Sequence, residues 1–270
     1  MSETPSGPNA PQVLYELRSR AAWLTLDRPH KRNALSPRMI ADLHSALDRA
    51  GSDAAVRAVV ITGSGPAFCA GADIDAGDAI VDGDANRGSD DEGPRNPFAR
   101  LLQRLQKFSK PVIVGVNGPA FGGGLGLVAV ADIGIAARSA SFSFSEVRLG
   151  LIPAMISVVV LPRIGEHHAR RLFLTGRRFQ ADEAVDVGLI HRSVADDELE
   201  AAINEEVADI AKGGPNAVAE AKKLIREVPT LPKAVAFDRA AGRLAARLSS
   251  DEGREGMAAF LGKRPPSWRK

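Results

Sequence analysis

The first part of the chain shows two hydrophobic patterns, one with the period of a strand and one with the period of a helix. Residues 13–17 and 22–26 alternate between apolar and polar positions, which predicts two strands joined as a β-hairpin. Ser36 followed by Pro37 is typical of an N-cap and a first helical residue, so a helix is predicted from there to about Ala50.

Short, continuous apolar runs follow, and they predict strands that are buried on both faces. Residues 56–62 and 112–116 are rich in β-branched side chains, as is typical of strands in a parallel sheet. Helical patterns at 97–109 and 123–130 separate these runs from each other and from a third run at 133–136. Strands that alternate with helices predict right-handed β-α crossovers, so we expect an α/β protein.

The pattern becomes mostly helical after about residue 150. One short strand is predicted near 189–194. Helical periodicity is present at 167–174, 181–187, 196–211, 217–226, 231–248 and 251–261. We therefore expect an α/β core over residues 13–200 and a helical region over residues 201–270.

Two segments lack hydrophobic periodicity. Residues 1–12 are polar and rich in Pro and Gly, which predicts a loose tail without the apolar core of a signal peptide. Residues 73–92 carry eight acidic side chains among Gly and Ser, which predicts a mobile loop. Such loops are usually solvated surface, and a lid over a binding site is the alternative.

Composition indicates an ordinary globular protein of the cytoplasm. The chain has 270 residues, of which 44% are hydrophobic and 25% charged, and its net charge of +2 gives no reason to expect nucleic-acid binding. Its single cysteine, Cys69, excludes an internal disulfide and fits a reducing compartment. The most apolar stretch, 112–137, is interrupted by Asn117, Pro119 and Asp132, so we expect no membrane span.

Several kinds of site are not expected from the residue types and their spacing. His167 and His168 are adjacent and lack the i, i+4 spacing of helical metal ligands, so no metal site is predicted. No G-x-S-x-G elbow occurs around Ser64 or elsewhere, which argues against a serine hydrolase. Cys69 is interpreted as a packed thiol rather than a nucleophile.

Two glycine-rich turns are the candidates for chemistry. Each follows a buried strand, in VVITGSGPAFCAGAD (59–73) and in VIVGVNGPAFGGGLG (112–126). Neither matches a phosphate-binding G-x-x-x-x-G-K-[ST] or G-x-G-x-x-G pattern. Close packing alone explains one or two glycines but not three in a row. The alternative is an oxyanion hole, in which backbone N–H groups near Ala72 and Gly123 bind one carbonyl oxygen.

Both turns belong to a wider resemblance. AFCAGADI, KPVIVGVNGPAFGGGLGL, FSFSEVRLGLIP, AVDVGLIHRSV and EGMAAFLGKRPPSW resemble the enoyl-CoA hydratase/isomerase (crotonase) family, from residue 28 nearly to the C-terminus. The resemblance implies a β-β-α spiral core, a C-terminal helical region that forms a homotrimer or homohexamer, and acyl-CoA thioester substrates. It implies no separate cofactor, because coenzyme A is part of the substrate.

The resemblance also implies site residues. The thioester oxygen would lie between the amides of Ala72 and Gly123. Lys263 or Arg264 is a further candidate for a CoA phosphate, with surface solvation as the alternative. The CoA moiety would run along the backbone of Arg32, Ala34, Ala70, Ala72, Asp73 and Ile74.

Acid–base groups are the point at which the chain departs from the family. Its hydratases typically use two glutamates, one two residues beyond the glycine triplet and one in an F-x-x-x-E segment. Here the first position is Gly126 and the second is Glu146. From the residues alone, Glu146 could instead be a surface residue paired with Arg148. In an apolar tunnel its pKa would be raised by desolvation.

The leading hypothesis is an enoyl-CoA hydratase-type lyase with Glu146 as acid and base. The alternatives are an enoyl-CoA isomerase that uses the same glutamate and a non-catalytic acyl-CoA-binding relative. Residues 145–157 are similar to a subgroup that acts on methylglutaconyl or isohexenylglutaconyl thioesters. The acyl chain itself depends on how residues 75–92, 101–105 and 152–160 pack.

Overall fold

A six-stranded sheet lies at the centre of the computed structural model, which describes residues 10–73 and 94–269. Its order is β1-β2-β3-β4-β6-β9, with β1 antiparallel to β2 and the other neighbours parallel. The strands in chain order are β1 Val13–Arg18, β2 Ala21–Leu26, β3 Ala58–Gly63, β4 Val112–Val116, β5 Ala120–Phe121, β6 Ile133–Ala137, β7 Ser141–Ser143, β8 Phe179–Gln180 and β9 Arg192–Val194.

Helices cover the sheet and form the C-terminal part of the chain. In chain order they are α1 Pro37–Ser52, α2 Pro97–Lys107, α3 Gly123–Val130, α4 Ala154–Thr175, α5 Ala181–Asp186, α6 Leu199–Lys212, α7 Pro215–Glu227, α8 Lys233–Leu248 and α9 Asp251–Leu261. α1 begins as its sequence predicts, because the Ser36 hydroxyl accepts a hydrogen bond of 3.1 Å from the Met39 amide.

The predicted hairpin and crossovers are confirmed. β1 and β2 meet at Ser19 and Arg20, whose φ angles of 48° and 67° match the twist of a tight hairpin turn. Each later strand of the sheet runs parallel to its neighbour, so the chain must cross over between them. The buried faces of β3 and β4 explain why their sequences are continuously apolar.

Apolar side chains fill both faces of the sheet. One face packs against α1, α2, α3 and α4 in the larger core cluster, which includes Leu43, Leu101 and Leu125. The other face packs against α6, where Ile203 lies against Gly115 of β4 so closely that a side chain at Gly115 would collide with it. The sheet is therefore a buried layer, as parallel sheets usually are.

Two features were not predicted. β5, β7 and β8 form a second, three-stranded sheet, and strands of two or three residues are too short to show periodicity. Helix α4 begins at Ala154, whereas the sequence pattern predicts a helix only from residue 167. Pro162 lies inside it and Gly165 has non-helical angles (φ 67°, ψ 166°), which interrupts the pattern.

The C-terminal helices leave apolar side chains exposed. On α8 and α9 these include Phe237 and Phe260, which are 76% and 81% exposed. Among the described residues, no helix is both long enough and apolar enough to cross a bilayer. The loop predicted at 73–92 lies outside the described residues except for Asp73, and only residues 10–12 of the tail predicted at 1–12 are described.

Candidate active site

The two glycine-rich turns lie side by side. Cys69 forms an isolated parallel bridge with Ala120, and its carbonyl accepts a hydrogen bond of 2.9 Å from the Phe121 amide. Further along, a Cβ atom built on Gly71 would lie 3.3 Å from the Gly123 nitrogen. The ends of β3 and β4 thus bring the predicted Ala72 and Gly123 segments together.

Two backbone N–H groups at this junction are free to bind a ligand. Ala72 bridges to Leu35 through the Gly71 carbonyl and the Asp73 amide, which leaves its own N–H unused. Gly123 is the first residue of α3, so its N–H has no intrahelical partner. Neither group has a hydrogen-bond acceptor in the part of the chain that the structure describes.

The glycine triplet has a separate requirement at each position. Gly122 adopts φ 48° and ψ −121°, which side-chain-bearing residues rarely adopt. At Gly123 a Cβ atom would lie 3.7 Å from the Ala72 nitrogen and would crowd the space between the two donors. At Gly124 it would lie 2.6 Å from the Cys69 carbonyl oxygen, so Gly124 allows the turns to touch.

Cys69 is a packing residue in this arrangement. The side chain is fully buried against Gly124, and burial raises the pKa of its thiol to about 12. A protonated, inaccessible thiol is a poor nucleophile, which supports its interpretation as a packed side chain.

Glu146 reaches the same junction from another element. It lies on a 3₁₀ turn, Ser145–Leu149, directly after β7. β7 is tied to the glycine triplet, because the Ser143 carbonyl accepts a hydrogen bond of 3.1 Å from the Gly122 amide. A Cβ atom built on Gly122 would lie 3.4 Å from Glu146 Oε1. The carboxyl group therefore faces the start of α3.

The surroundings of this carboxyl group favour its protonated form. Burial raises the pKa of Glu146 above its ordinary value, although a hydrogen bond from its own backbone opposes the shift. Its buried Oε2 has no hydrogen-bond partner among residues 10–73 and 94–269. Arg148 is exposed and its Nε donates instead to the Thr175 carbonyl at 3.4 Å, so the alternative of a Glu146–Arg148 pair is wrong.

Gly126 lies one turn into α3, in apolar surroundings. A Cβ atom there would be 2.8 Å from Ile156 Cγ2, 3.2 Å from Phe98 Cζ and 3.5 Å from Leu102 Cδ1. These three side chains come from α4 and α2, and each is only 3% exposed. Apolar side chains therefore fill the space that the family's first glutamate would occupy.

Buried polar groups fix the backbone of residues 32–34, part of the segment predicted to bind CoA. Arg32 is exposed, and its carbonyl accepts a hydrogen bond of 2.9 Å from the Ala70 amide. Asn33 is fully buried and donates to the carbonyls of Ser64 and Ala67 at 2.9 and 2.8 Å. These bonds fix the backbone of residues 32–34 beside that of residues 70–72.

Asp73 has a structural partner. Its carboxylate pairs with Arg28 at 2.8 Å, and both side chains are largely buried. Arg28 also donates to the Ala34 carbonyl at 2.8 Å. The Asp73 amide donates to the Leu35 carbonyl at 2.9 Å, so only the backbone carbonyl of Asp73 is left for a substrate. Ile74 lies outside the described residues.

Sequence reasoning missed three residues of this region. Arg28 and Asn33 lie in the run RPHKRNAL, on either side of a turn that begins at Pro29. A charged and an amide side chain beside such a turn could have indicated that they hold the backbone in place. Phe98 had only a weak signal, the helix start that Asn96 makes by accepting hydrogen bonds from the Phe98 and Ala99 amides. Its contact with Gly123 and Gly126 depends on the packing of two helices.

The remaining candidates lie elsewhere. His167 and His168 stack edge to face on α4, and the described residues contain no group of three His, Cys, Asp or Glu side chains that could hold a metal ion. Arg264 forms an ion pair with Glu255 at 2.7 Å, next to Lys263 on the surface. None of these contacts brings them to the glycine turns.

The chain matches known proteins along nearly its whole length. Residues 16–270 match the family described as enoyl-CoA hydratase/isomerase. Enoyl-CoA hydratase EchA19 of Mycobacterium tuberculosis is 36% identical, with 99% of both chains covered. The 1,2-epoxyphenylacetyl-CoA isomerase of Escherichia coli is 35% identical, with 95% of this chain and 97% of the relative covered.

Solved structures show the same likeness. The crystal structure of an enoyl-CoA hydratase from Shewanella pealeana has a TM-score of 0.86 at 34% identity, covering 95% of this chain and 96% of the other. The predicted fold is thereby confirmed as the crotonase fold. The chain belongs to the enoyl-CoA hydratase/isomerase family, as its sequence motifs indicated.

Proposed function

We propose that this protein is an enoyl-CoA hydratase-type lyase, which adds water across the double bond of a 2-enoyl-CoA thioester. One observation carries the proposal: the Ala72 and Gly123 N–H groups, which have no acceptor among the described residues, lie beside Glu146, whose buried Oε2 has no partner there either. A thioester needs this pair of functions, because its carbonyl must be polarised while a proton is moved nearby.

The two N–H groups supply the polarisation. With the thioester oxygen between Ala72 and Gly123, carbon 3 becomes electrophilic and the enolate that forms after attack is stabilised. The N-terminus of α3 adds the positive end of a helix dipole. Loss of one donor from such a hole typically lowers the rate by about 10²–10³.

Glu146 supplies the proton transfers. As the oxygen of water bonds to carbon 3, the carboxylate takes one proton from that water, and it then returns the proton to carbon 2 of the enolate. The product is a 3-hydroxyacyl thioester, and the glutamate ends as it began. Its raised pKa suits both steps, because it brings the carboxyl group closer to the working pH.

Coenzyme A is expected along the backbone of residues 32–34 and 70–73. The buried side chains of Asn33 and Arg28 support this, since they hold that backbone rigid while Arg32 and Ala72 stay accessible. No separate cofactor enters the reaction, because water and the thioester supply every atom of the product.

A second candidate is the isomerisation of a 3-enoyl-CoA to a 2-enoyl-CoA. The apolar surroundings of Gly126 favour it, because Glu146 then faces the start of α3 without a second glutamate, while the Asp73 carboxylate is paired with Arg28. The carboxylate would remove a proton from carbon 2, and the double bond would shift as the same proton is returned to carbon 4. An isomerase among the relatives is consistent with this reaction.

Assembly and location are part of the same proposal. We expect a homotrimer or homohexamer formed through residues 201–270, because the exposed apolar side chains of α8 and α9 need cover from water. A cytoplasmic enzyme agrees with a single, buried cysteine.

Absorbance of the conjugated thioester tests these reactions directly. With crotonyl-CoA a loss of absorbance means hydration, and with a 3-enoyl-CoA a gain means isomerisation. 3-Methylglutaconyl-CoA tests the resemblance to the subgroup. Glu146→Gln should abolish whichever activity is present, and retained activity would overturn the site assignment. Binding of a saturated acyl-CoA without either reaction would indicate a non-catalytic relative.

A further inference from the structure

We propose that Ile156 of α4, together with Phe98 of α2, determines how the enzyme divides its activity between hydration and isomerisation. We call Phe98, Leu102 and Ile156 the apolar wall, because they cover Gly126 on the α3 helix. The inference rests on the proposed function of Glu146, and it assigns a specificity role to residues that lack any reactive group.

The wall occupies the space of a second acid–base group. Ile156 Cγ2 would lie only 2.8 Å from a Cβ atom at Gly126, so no longer side chain fits there as the core stands. The Phe98 ring spans the gap to the oxyanion donor, since its Cζ would be 3.6 Å from a Cβ atom at Gly123. Apolar side chains therefore line the space from Gly123, at the start of α3, to Gly126, one turn further on.

Such a wall cannot hold a water molecule. A buried water needs two to four polar partners, and the three side chains of the wall offer none. Of the described side chains around Gly126 and Gly122, Glu146 is therefore the one that can hold a water for attack on carbon 3. The wall leaves proton transfer between carbons undisturbed, because that reaction needs one carboxyl group and no water.

This chain would then differ from two-glutamate hydratases in two ways: it lacks a glutamate at position 126, and the apolar wall occupies the space for one. Gly126→Glu alone would drive the new side chain into Ile156 and Phe98. We expect it to slow both reactions at least 10-fold, because α3 carries the Gly123 donor and must shift to make room. Removing Ile156 Cγ2 in the same chain should provide the missing space.

The experiment compares Gly126→Glu, Ile156→Ala and the double variant with the unmodified chain. For each we would measure kcat/KM for hydration of crotonyl-CoA and for isomerisation of a 3-enoyl-CoA, and binding of a saturated acyl-CoA. The ratio of hydration to isomerisation should rise at least 10-fold in the double variant and several-fold in Ile156→Ala. General acid–base groups typically contribute about 10²–10⁴-fold, so the rise should be clear.

A matched control comes from the same helix. Ile164 is also buried in the core, at 4% exposed, and Ile164→Ala makes the same change of side chain away from Gly126. It should leave the ratio unchanged. If the double variant does not fold, Ile156→Thr tests the same inference. Threonine keeps Cγ2 and places a hydroxyl where isoleucine has Cγ1, so the wall gains one polar group. It should raise the ratio several-fold.

Three outcomes overturn the inference. One is an equal rise in the ratio for Gly126→Glu alone and for the double variant. Another is an unchanged ratio in both Ile156→Ala and Ile156→Thr while the unmodified chain is active. In these two cases the proposed function stands. If the unmodified chain binds acyl-CoA without catalysing either reaction, the proposed function fails and the inference fails with it.

Discussion

Burial of Glu146 raises its pKa, and this shift makes the stability of the fold depend on pH. Its raised pKa means that the folded protein binds a proton at this site more readily than the unfolded chain does. The stabilisation from protonated Glu146 is complete below the ordinary pKa of 4.5 and is lost as the pH rises through the folded value. At neutral pH the half-buried carboxylate therefore favours the fold less than the protonated group does at low pH.

This gives a prediction about stability. Glu146→Gln should unfold at a higher temperature than the unmodified chain at pH 7, because it removes a desolvated charge. The difference should shrink towards pH 4, where both side chains are neutral. Thermal unfolding followed by circular dichroism measures it. Glu166→Gln is the control, since its exposed carboxylate should give almost no change; an equal change in both variants would contradict the prediction.

The same shift predicts the acid side of the pH–rate profile. Because the carboxylate is the active form toward water, kcat/KM should fall as the pH drops through the raised pKa of Glu146. The midpoint of that fall should lie above 4.5, the ordinary value. Initial rates of crotonyl-CoA hydration between pH 4 and pH 9 measure it. A midpoint at or below the ordinary value would contradict the desolvated environment.

The Arg28–Asp73 pair gives a third prediction at the residue scale. Asp73→Ala leaves a largely buried guanidinium unpaired, which should lower the free energy of unfolding by about 3–5 kcal/mol. Urea unfolding measures this loss, and kcat should also fall, because Asp73 follows the Ala72 donor. Glu205→Ala breaks an exposed pair with Arg192 and should cost less than about 1 kcal/mol. Equal losses would rule out a special role for burial.

At the scale of elements, α3 and α4 act together. α4 covers Gly126 with Ile156, and its interruption at Gly165 follows directly after Arg163. Arg163 Nε donates to the Ala129 carbonyl at 2.9 Å, and its guanidinium also contacts the Ala131 carbonyl. One helix therefore packs against the middle of α3 and holds its C-terminal end.

Removal of this clamp should loosen the helix that carries the Gly123 donor. Arg163→Met leaves two buried carbonyls without their partner, which should cost about 1–3 kcal/mol of stability. We expect kcat to fall several-fold with little change in KM, because the proposed Gly123 donor would act on the transition state. Arg163→Lys should restore part of both. Urea unfolding and steady-state kinetics distinguish this from a loss of stability with unchanged kcat.

Sequence patterns were sufficient to predict some helices and strands but not others. Residues 112–116 and 123–130 were predicted with the observed bounds, because a continuous β-branched run and a glycine-started apolar helix are local signals. β7 was not, although it leads to Glu146, since three residues carry no period. Its place is set by pairing with β5 and β8 from distant parts of the chain.

The whole molecule carries more exposed apolar surface than one copy should. Phe237 and Phe260 are mostly exposed, and Leu244 on α8 is 61% exposed. We predict a trimer or hexamer by light scattering and a shift towards monomer in Phe237→Ser. Asp238→Ser, at the next exposed position, should leave the assembly unchanged. A monomeric unmodified chain would contradict this prediction.

The sequence by itself determined the class of fold and the family, and it predicted which residues meet at the junction of the two turns. Hairpin, N-caps and buried strands are encoded by neighbouring residues, and the AGAD and GGG turns with Glu146 indicated the family. The tertiary structure alone decided that Asp73 pairs with Arg28 and that carbon fills the space at Gly126. Such contacts join residues far apart in the chain, and no local period records them.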